Sequence, residues 1–359
     1  RVYPLGRAAG NGVGYVGRCG TPPEEYRVLE ELGFFRKGLE GLSEDQYREL
    51  EESEVFTREW IGRSGVEGFY DDRLRGRHGL MVVEVDRSTG ARRVLRKEPA
   101  VPGEDIRLTI DVRTQRAVEG ILEDRFVRQG LCSAAVVLDP RDGSVVALAS
   151  VPGYDPGDFL PPADPTRLQL YFGPLAKVER RMRHRAVVDR YPAGSVFKVV
   201  TSIAAIEEGQ LTRDTWYECL GQYRDSPPYF KCWIGEQHGS HGRMDLDQAL
   251  AQSCNVFFFH VGENLGVDLL ASWATRLGLG HPTGIDLPFE QSGDVPTADW
   301  LQTRRAGKWH PNDTLNLAIG QGTLTVTPIQ VAVLMSCVAN GGQVVVPHVC
   351  LPYITKEGA

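Results

Sequence analysis

A serine and a lysine stand three positions apart, Ser195 and Lys198, where an apolar helical segment begins. The segment 196–208 places most of its apolar side chains on one broad surface and ends at Gly209, a pattern that predicts a helix packed against a core. Ser195 is therefore predicted in the first turn, where free backbone N–H groups and the helix dipole favour developing negative charge. Because Lys198 lies at i+3, the two side chains share one face.

This pair of side chains could supply a nucleophile and its base. A lysine ammonium cannot accept a proton, so Lys198 must be neutral for part of the time, and burial beside an apolar helix favours the neutral form. Neutral Lys198 could then take the proton of the Ser195 hydroxyl. The pattern S-x-x-K also arises by chance in chains of this length, so a second feature is needed.

The second feature is the triplet Ser253-Cys254-Asn255, which lies between two apolar segments, 244–252 and 256–261. This arrangement predicts a junction between two helices. Ser253 could relay a proton to a leaving amine, and Asn255 could hydrogen-bond a substrate amide. The alternative is that Ser253 is an N-cap of the second helix, and the two interpretations are compatible.

Taken together, the motifs resemble those of class B penicillin-binding proteins, and the likeness is greatest to the elongation-type transpeptidase of the rod-shape machinery. The segments that resemble the transpeptidase domain are 191–198, 253–255, 283–288, 316–322 and 327–330. The segments that resemble the non-catalytic pedestal of that family are 1–4, 14–17, 61–67, 74–76 and 108–111.

The resemblance implies an α/β (α+β) penicillin-binding transpeptidase fold, with an antiparallel sheet flanked by helices and a smaller pedestal domain. We expect residues 1–130 to form a partial pedestal or dimerisation-like domain and residues 131–359 to form the transpeptidase domain. The runs 134–138 and 144–148 flank a D-P-R-D-G turn, which predicts a hairpin at the start of the sheet. The segment 114–128 is predicted to be a helix that bridges the two domains.

The resemblance also implies a reaction. Ser195 would attack the D-alanyl-D-alanine carbonyl of a peptidoglycan stem peptide, release D-alanine and pass the acyl group to an amine of a neighbouring strand, and β-lactams would block it. Trp233, Gly320 and Gln321 are candidates for substrate contact. Trp233 could equally cap the core, and the turn at Gly320 and Gln321 lacks the pattern of a phosphate-binding loop.

The third motif of the family, Lys-Thr-Gly, is missing between Asn255 and Ala359. We expect the C-terminal strands to be truncated and the chain to be cropped at both ends. The loss of an oxyanion-hole donor typically costs a factor of about 10² to 10³ in rate. Two alternatives to the transpeptidase therefore stay open: a noncatalytic scaffold or β-lactam sensor of the same fold, and a serine β-lactamase, which needs a residue to activate water.

The charge balance and hydropathy limit the partners and the location. The net charge of −7 argues against nucleic-acid binding, although the basic run 180–185 predicts either a solvated loop or a contact for an anionic substrate. No apolar run reaches the length of about 18 residues that a membrane helix needs. The resemblance implies a missing N-terminal anchor in the cell inner membrane, a periplasmic position for this portion, and a membrane glycosyltransferase and rod-shape scaffold proteins as partners.

The chain has seven cysteines, an odd count that argues against a complete disulfide framework. Cys219, Cys232, Cys254 and either His241 or His238 have spacings that suit a structural zinc ion. Some elongation-type members of the family have a metal in the corresponding place, held by Asp, Asp, His and Cys. The alternative is a Cys219–Cys232 disulfide, with Cys254 as a buried thiol. No organic cofactor is expected.

Two other acidic features are not expected to carry chemistry, and Asp286 and Glu290 are expected to be scaffolding. Asp286 and Glu290 could suggest paired carboxylates, but glycoside chemistry needs a facing pair, for which the sequence has no sign. The acidic stretch 43–54 is predicted to be a solvent-facing helix.

Overall fold

The computed structural model of the chain describes residues 7–18, 60–77, 79–86, 88–174, 176–224, 230–305 and 307–351. The motif at 1–4 and the acidic helix predicted over 43–54 lie outside these residues. Among the helices described, none combines the length and the apolar character needed to cross a membrane.

The N-terminal region consists of short helices and two antiparallel strand pairs, β1 with β2 and β3 with β4. Its elements are α1 (Gly10–Val13), β1 (Val16–Arg18), β2 (Trp60–Gly62), α2 (Gly65–Phe69), α3 (Asp71–Arg75), β3 (Leu80–Val85) and β4 (Arg92–Glu98). Gly14 shows why the motif at 14–17 needs a glycine: its φ is +83°, and a Cβ there would lie 1.7 Å from the Ser64 carbonyl oxygen.

The long helix between the two regions is α4 (Val112–Arg125), followed by a 3₁₀ turn at Val127–Gln129. It begins two residues before the predicted start because the Asp111 carboxylate accepts the Thr114 backbone N–H at 2.7 Å and caps the helix. Its buried Gln115 exchanges two hydrogen bonds with the backbone of Leu148. The helix is thereby joined to the strand beside it.

The predicted hairpin is confirmed as β5 (Ser133–Leu138) and β6 (Val145–Val151), an antiparallel pair. Every residue of β6 except one is buried, which fits a strand covered on both faces. Helix α4 packs against β6, and the C-terminal helix described below packs against β5. The hairpin is thus flanked by helices, as predicted.

The remaining elements form the helical part of the molecule. Its helices are α5 (Pro165–Phe172), α6 (Ala176–Glu179), α7 (Arg185–Val188), α8 (Lys198–Glu207), α9 (Trp233–Glu236), α10 (Leu246–Ala251), α11 (Asn255–Arg276), α12 (Ala298–Arg305), α13 (Pro311–Ala318) and α14 (Pro328–Ala339). Its short strands are β7 (Tyr217–Cys219) and β8 (Gly242–Met244), which pair antiparallel.

The main core lies where α8, α11 and α13 pack together. Three consecutive phenylalanines of α11, Phe257 to Phe259, are each at most 2% exposed, because this helix is covered on several sides. A second, smaller core joins the N-terminal region to the hairpin and includes Val66, Val145 and Ile285. The helical core positions the functional site.

Asp286 joins three parts of the chain, and the scaffolding role predicted for it is confirmed. Its carboxylate accepts backbone N–H groups of Val349 at 2.6 Å and Cys350 at 2.9 Å, and the Tyr70 hydroxyl at 2.8 Å. Burial and the neighbouring carboxylate raise the pKa of Tyr70, so the phenol remains a donor. Glu290 instead accepts hydrogen bonds from Thr283 within its own loop.

We expect Tyr70→Phe to lower the free energy of unfolding by about 1.5 kcal/mol, because it removes a hydrogen bond to a partly buried carboxylate. Denaturant unfolding of the chain measures this loss. Tyr15→Phe is the matched control, since the Tyr15 hydroxyl bonds to none of the described residues while its ring stacks on Phe159. Equal losses in the two variants would contradict a specific role for the Tyr70 hydroxyl.

Candidate active site

Ser195 lies in a 3₁₀ turn, Gly194–Phe197, that runs directly into α8 at Lys198. The turn is hydrogen-bonded to the segment that follows α13, because the Gly194 N–H donates to the Gly320 carbonyl at 2.8 Å. Gly320 has a φ of +73°, and a Cβ there would lie 2.1 Å from the Gly194 carbonyl oxygen. Only glycine allows this close approach.

A continuous set of hydrogen bonds joins Ser195, Ser253 and Lys198. The Ser253 hydroxyl donates to Ser195 Oγ at 2.9 Å and accepts from Lys198 Nζ at 3.0 Å. Lys198 Nζ also donates to the Ser253 carbonyl at 2.9 Å and to Asn255 Oδ1 at 2.7 Å. The structure therefore brings together all of the residues predicted to be catalytic.

Lys198 is a buried amine, with 1% of its surface exposed. Its Nζ lies 5.5 Å from the centre of the Phe258 ring, on the apolar face of α11. Burial lowers the pKa of Lys198 to about 8, against the opposing effect of the Cys232 and Cys254 sulfurs nearby. A substantial neutral fraction of this amine therefore exists at physiological pH.

The S-x-N triplet forms the connection between α10 and α11, as predicted, but Ser253 does not cap the second helix. The N-cap of α11 is Cys254, so the alternative interpretation of Ser253 as the N-cap is wrong. Ser253 itself has a φ of +50°, in the left-handed region that serine rarely adopts. This backbone conformation points the Ser253 hydroxyl at Ser195 and its carbonyl at Lys198.

Trp233 lies beside this connection and is 41% exposed. Its indole Nε1–H donates to the Gln252 carbonyl at 2.9 Å, and the Asn255 side-chain amide donates to the Lys231 carbonyl at 3.2 Å. The Trp233 ring also meets the His241 ring edge-on, with centroids 5.3 Å apart. Neither hydrogen bond could be predicted from the sequence, because each joins segments that are separate along the chain.

Gly320 and Gln321 lie in the turn after α13, where the Gln321 N–H donates to the Asn316 carbonyl at 2.9 Å. The Gln321 side chain is exposed, whereas Gly320 is buried against Gly194. The tight turn predicted here is confirmed. The contact that Gly320 makes is with the backbone behind Ser195.

Three cysteines and one histidine meet beside the S-x-N connection. The ligand atoms of Cys219, Cys232, His241 and Cys254 all lie within 4.8 Å of one another. His241 Nδ1 lies 3.5 Å from the sulfurs of both Cys219 and Cys232. His238, the alternative ligand predicted from the sequence, is not part of this group.

The chemistry of the group suits a metal ion with tetrahedral coordination. Each of the three cysteines is a free thiol and at most 1% exposed. Hydrogen bonds from the Cys254 thiol and from backbone N–H groups lower the pKa of Cys232, which favours the thiolate that binds metals. Thiolate sulfur and imidazole nitrogen are the donors that soft, tetrahedral ions prefer.

Part of the basic run before Ser195 pairs with carboxylates of the chain itself. Arg181 pairs with Glu179 at 2.6 Å, and Arg183 pairs with Asp189. Arg185 is 2% exposed and donates to the Glu179 carbonyl. The prediction of a solvated loop is therefore wrong at Arg185, whose guanidinium is buried within the fold.

Comparisons with known proteins agree with this geometry. The chain matches the model of the penicillin-binding protein transpeptidase domain over residues 133–354 and that of the penicillin-binding protein dimerisation domain over residues 1–108. It is 33% identical over 360 aligned residues to the peptidoglycan D,D-transpeptidase MrdA of Escherichia coli K12, covering 98% of this chain and 51% of that protein. The chain thus spans about half the length of this curated relative.

Two solved structures share the architecture. The complex between penicillin-binding protein PBP2 and MreC from Helicobacter pylori superposes with a TM-score of 0.78 at 24% identity, over 99% of this chain and 59% of that one. A peptidoglycan synthase complex described as coordinating polymerization and crosslinking superposes with a TM-score of 0.73 at 31% identity, over 97% of this chain and 56% of that one. The predicted fold is confirmed, and the chain belongs to the penicillin-binding protein transpeptidase family.

Proposed function

We propose that this chain is the transpeptidase portion of an elongation-type peptidoglycan D,D-transpeptidase that works through an acyl-serine intermediate and is inhibited by β-lactams. The observation that carries the proposal is the set of hydrogen bonds from Ser195 through Ser253 to the buried Lys198. It unites a hydroxyl nucleophile, a proton relay and an amine whose pKa is lowered. The name of the Escherichia coli relative describes the same activity.

In the proposed reaction, Ser195 Oγ attacks the carbonyl between the two D-alanines of a stem peptide. Its proton passes to neutral Lys198 by way of the Ser253 hydroxyl, which lies 2.9 Å from Ser195 Oγ. As the tetrahedral intermediate collapses, the C–N bond breaks and Ser253 donates a proton to the departing D-alanine amine. The ester on Ser195 is then attacked by an amine of a neighbouring strand, by the same proton path in reverse.

Asn255 and the half-exposed residues around Ser195 would position the substrate. Asn255 Oδ1 accepts from Lys198 at 2.7 Å, and this contact places its amide beside the proposed base. We propose that Trp233 and Gln321, both exposed at the surface near the site, and Gly320 behind it border the groove for the stem peptide. The substrate class follows from the resemblance and from the relatives' activity.

We propose that Cys219, Cys232, His241 and Cys254 hold a structural zinc ion. In a tetrahedral site, Zn–S bonds of about 2.3 Å and Zn–N bonds of about 2.0 Å separate sulfur and nitrogen by about 3.5 Å. The sulfur-to-nitrogen distances of 3.5 Å around His241 fit this value. When bound, the ion would cross-link the connection between α10 and α11 to β7. It would not take part in catalysis, because four protein ligands leave no open position.

The partners, location and domain boundary are proposed on the same basis. The structural relatives include a complex with MreC and a peptidoglycan synthase complex, which supports a rod-shape scaffold protein and a glycosyltransferase as partners. We propose a periplasmic position with anchoring in the inner membrane. A boundary near residue 130 is supported by the two family matches, which end at 108 and begin at 133.

Ser195→Ala should abolish covalent labelling by a fluorescent penicillin, because the variant lacks the hydroxyl oxygen that forms the ester with the penicillin acyl group. Labelling is read on a denaturing gel, and the adduct is located by mass spectrometry. Ser202→Ala is the matched control, since the buried Ser202 hydroxyl donates to the Lys198 carbonyl within α8 and to no other described residue. Labelling of Ser195→Ala at the level of the unchanged chain would contradict the proposed nucleophile.

The same assay separates the alternative functions when it is run on this chain and on a version extended past Ala359. A stable adduct in either version supports the transpeptidase. Rapid release of hydrolysed penicillin would identify a β-lactamase. Absence of an adduct in both versions, with each shown to be folded, would favour a noncatalytic scaffold.

The rate of acylation should rise about tenfold per pH unit below pH 8 and level off above it. The pKa of Lys198 is lowered to about 8, and only the neutral amine can accept the proton. Stopped-flow measurements of penicillin acylation between pH 6 and about 9.5 test this dependence. Lys198→Arg should abolish the rise, because a guanidinium stays protonated throughout; a flat profile in the unchanged chain would contradict Lys198 as the base.

Cys232→Ser should lower the zinc content of the purified chain well below one equivalent, because the thiolate with the lowered pKa is lost. Zinc is measured by plasma mass spectrometry. Cys337→Ser is the matched control, since Cys337 is equally buried but lies outside the group. Zinc absent from the unchanged chain, with a Cys219–Cys232 disulfide found by peptide mapping, would contradict the proposal.

A further inference from the structure

Ser253 is held in an unfavourable backbone conformation at the centre of the site. A left-handed serine costs about 1–2 kcal/mol. Here it ends α10, where the Ser253 N–H donates to the Leu250 carbonyl at 3.1 Å and the Cys254 N–H donates to the Ala249 carbonyl at 2.9 Å. Relaxation of Ser253 from its φ of +50° would turn the hydroxyl away from Ser195 Oγ, now 2.9 Å distant. The residues that hold this turn therefore control the proton path.

The segment Lys231–Trp233 is hydrogen-bonded to the residues on either side of Ser253. The Trp233 indole N–H donates to the carbonyl of Gln252, the residue directly before Ser253. The Lys231 carbonyl accepts the side-chain amide of Asn255, two residues after Ser253. The peptide plane before the left-handed residue and a side chain two residues after it are thus tied to one short, separate segment.

Trp233 is itself well anchored, so its hydrogen bond can hold the turn. The preceding residue, Cys232, is 0% exposed and is the N-cap of α9. One edge of the indole meets the His241 ring at a centroid distance of 5.3 Å. The direction of the indole N–H is therefore set by the core of the domain, while the outer part of the ring is exposed.

We propose that Trp233 is a positioning residue whose indole N–H holds the Gln252 carbonyl and thereby keeps Ser253 in the conformation that links Ser195 to Lys198. This inference rests on the proposed transpeptidase function and deepens it. It differs from a role as groove wall in what it affects: loss of the N–H slows the chemical step, whereas loss of a groove wall weakens binding.

The test is Trp233→Phe, which keeps an aromatic ring and removes the N–H donor. Stopped-flow penicillin acylation over a range of concentrations gives the rate constant at saturation and the dissociation constant of the noncovalent complex. We expect the rate constant to fall about five- to tenfold, as for the loss of one hydrogen bond, with the dissociation constant changed less than about twofold.

The matched control is Trp216→Phe. Trp216 is 47% exposed, and its ring stacks on the Arg243 guanidinium at 3.9 Å, so it undergoes the same chemical change at a similar exposure. A second variant carries benzothienylalanine at position 233, which replaces the indole N–H by sulfur at nearly constant shape. It keeps the test decisive if Trp233→Phe does not fold.

Hydrogen–deuterium exchange of peptides covering 250–256 is a second readout, independent of acylation. Exchange should rise in the position-233 variants and stay unchanged in Trp216→Phe. An unchanged rate constant, or a weakened complex with an unchanged rate constant, would overturn the inference. If penicillin acylates neither the unchanged chain nor its version extended past Ala359, the proposed function fails. Unchanged hydrogen–deuterium exchange in the position-233 variants would then overturn the positioning role by itself.

Discussion

The structure of the site depends on the burial of one amine. Lys198 is removed from water at the start of α8 and has three hydrogen-bond acceptors, all from Ser253 and Asn255. An amine so placed is costly to charge without partners, and these partners are available only if the S-x-N connection keeps its conformation. A single atom, Lys198 Nζ, therefore links α8 to the start of α11 and to the backbone of Ser253.

Two sets of contacts outside the catalytic residues support this arrangement. Behind Ser195, Gly194 and Gly320 approach so closely that neither chain segment can move without the other. Beside Ser253, the segment Lys231–Trp233 and the Cys–His group hold the connection that carries Cys254. The proposed nucleophile and the proposed proton relay thus lie on two separately anchored segments of backbone, an arrangement that favours preorganised catalysis.

Much of the fold could be predicted from local patterns. The hairpin at 133–151 and the helix after Asp111 follow from turn residues and periodicity, and the structure confirms them. The predictions failed where a distant partner decided the outcome. The basic run that includes Arg185 predicts either a solvated loop or a contact for an anionic substrate, yet α7, which begins at Arg185, packs against β5, β6 and α14, and Arg185 is 2% exposed.

The sequence by itself determined which chemical groups are available: a serine and a lysine on one helix face, a second serine with an asparagine, and three cysteines with a histidine. Only the tertiary structure decided how they meet. The choice of His241 over His238 and the bond from Trp233 to Gln252 each depend on segments that are separate along the chain. Local propensity carries no information about such contacts, because their energies arise only when packing brings the segments together.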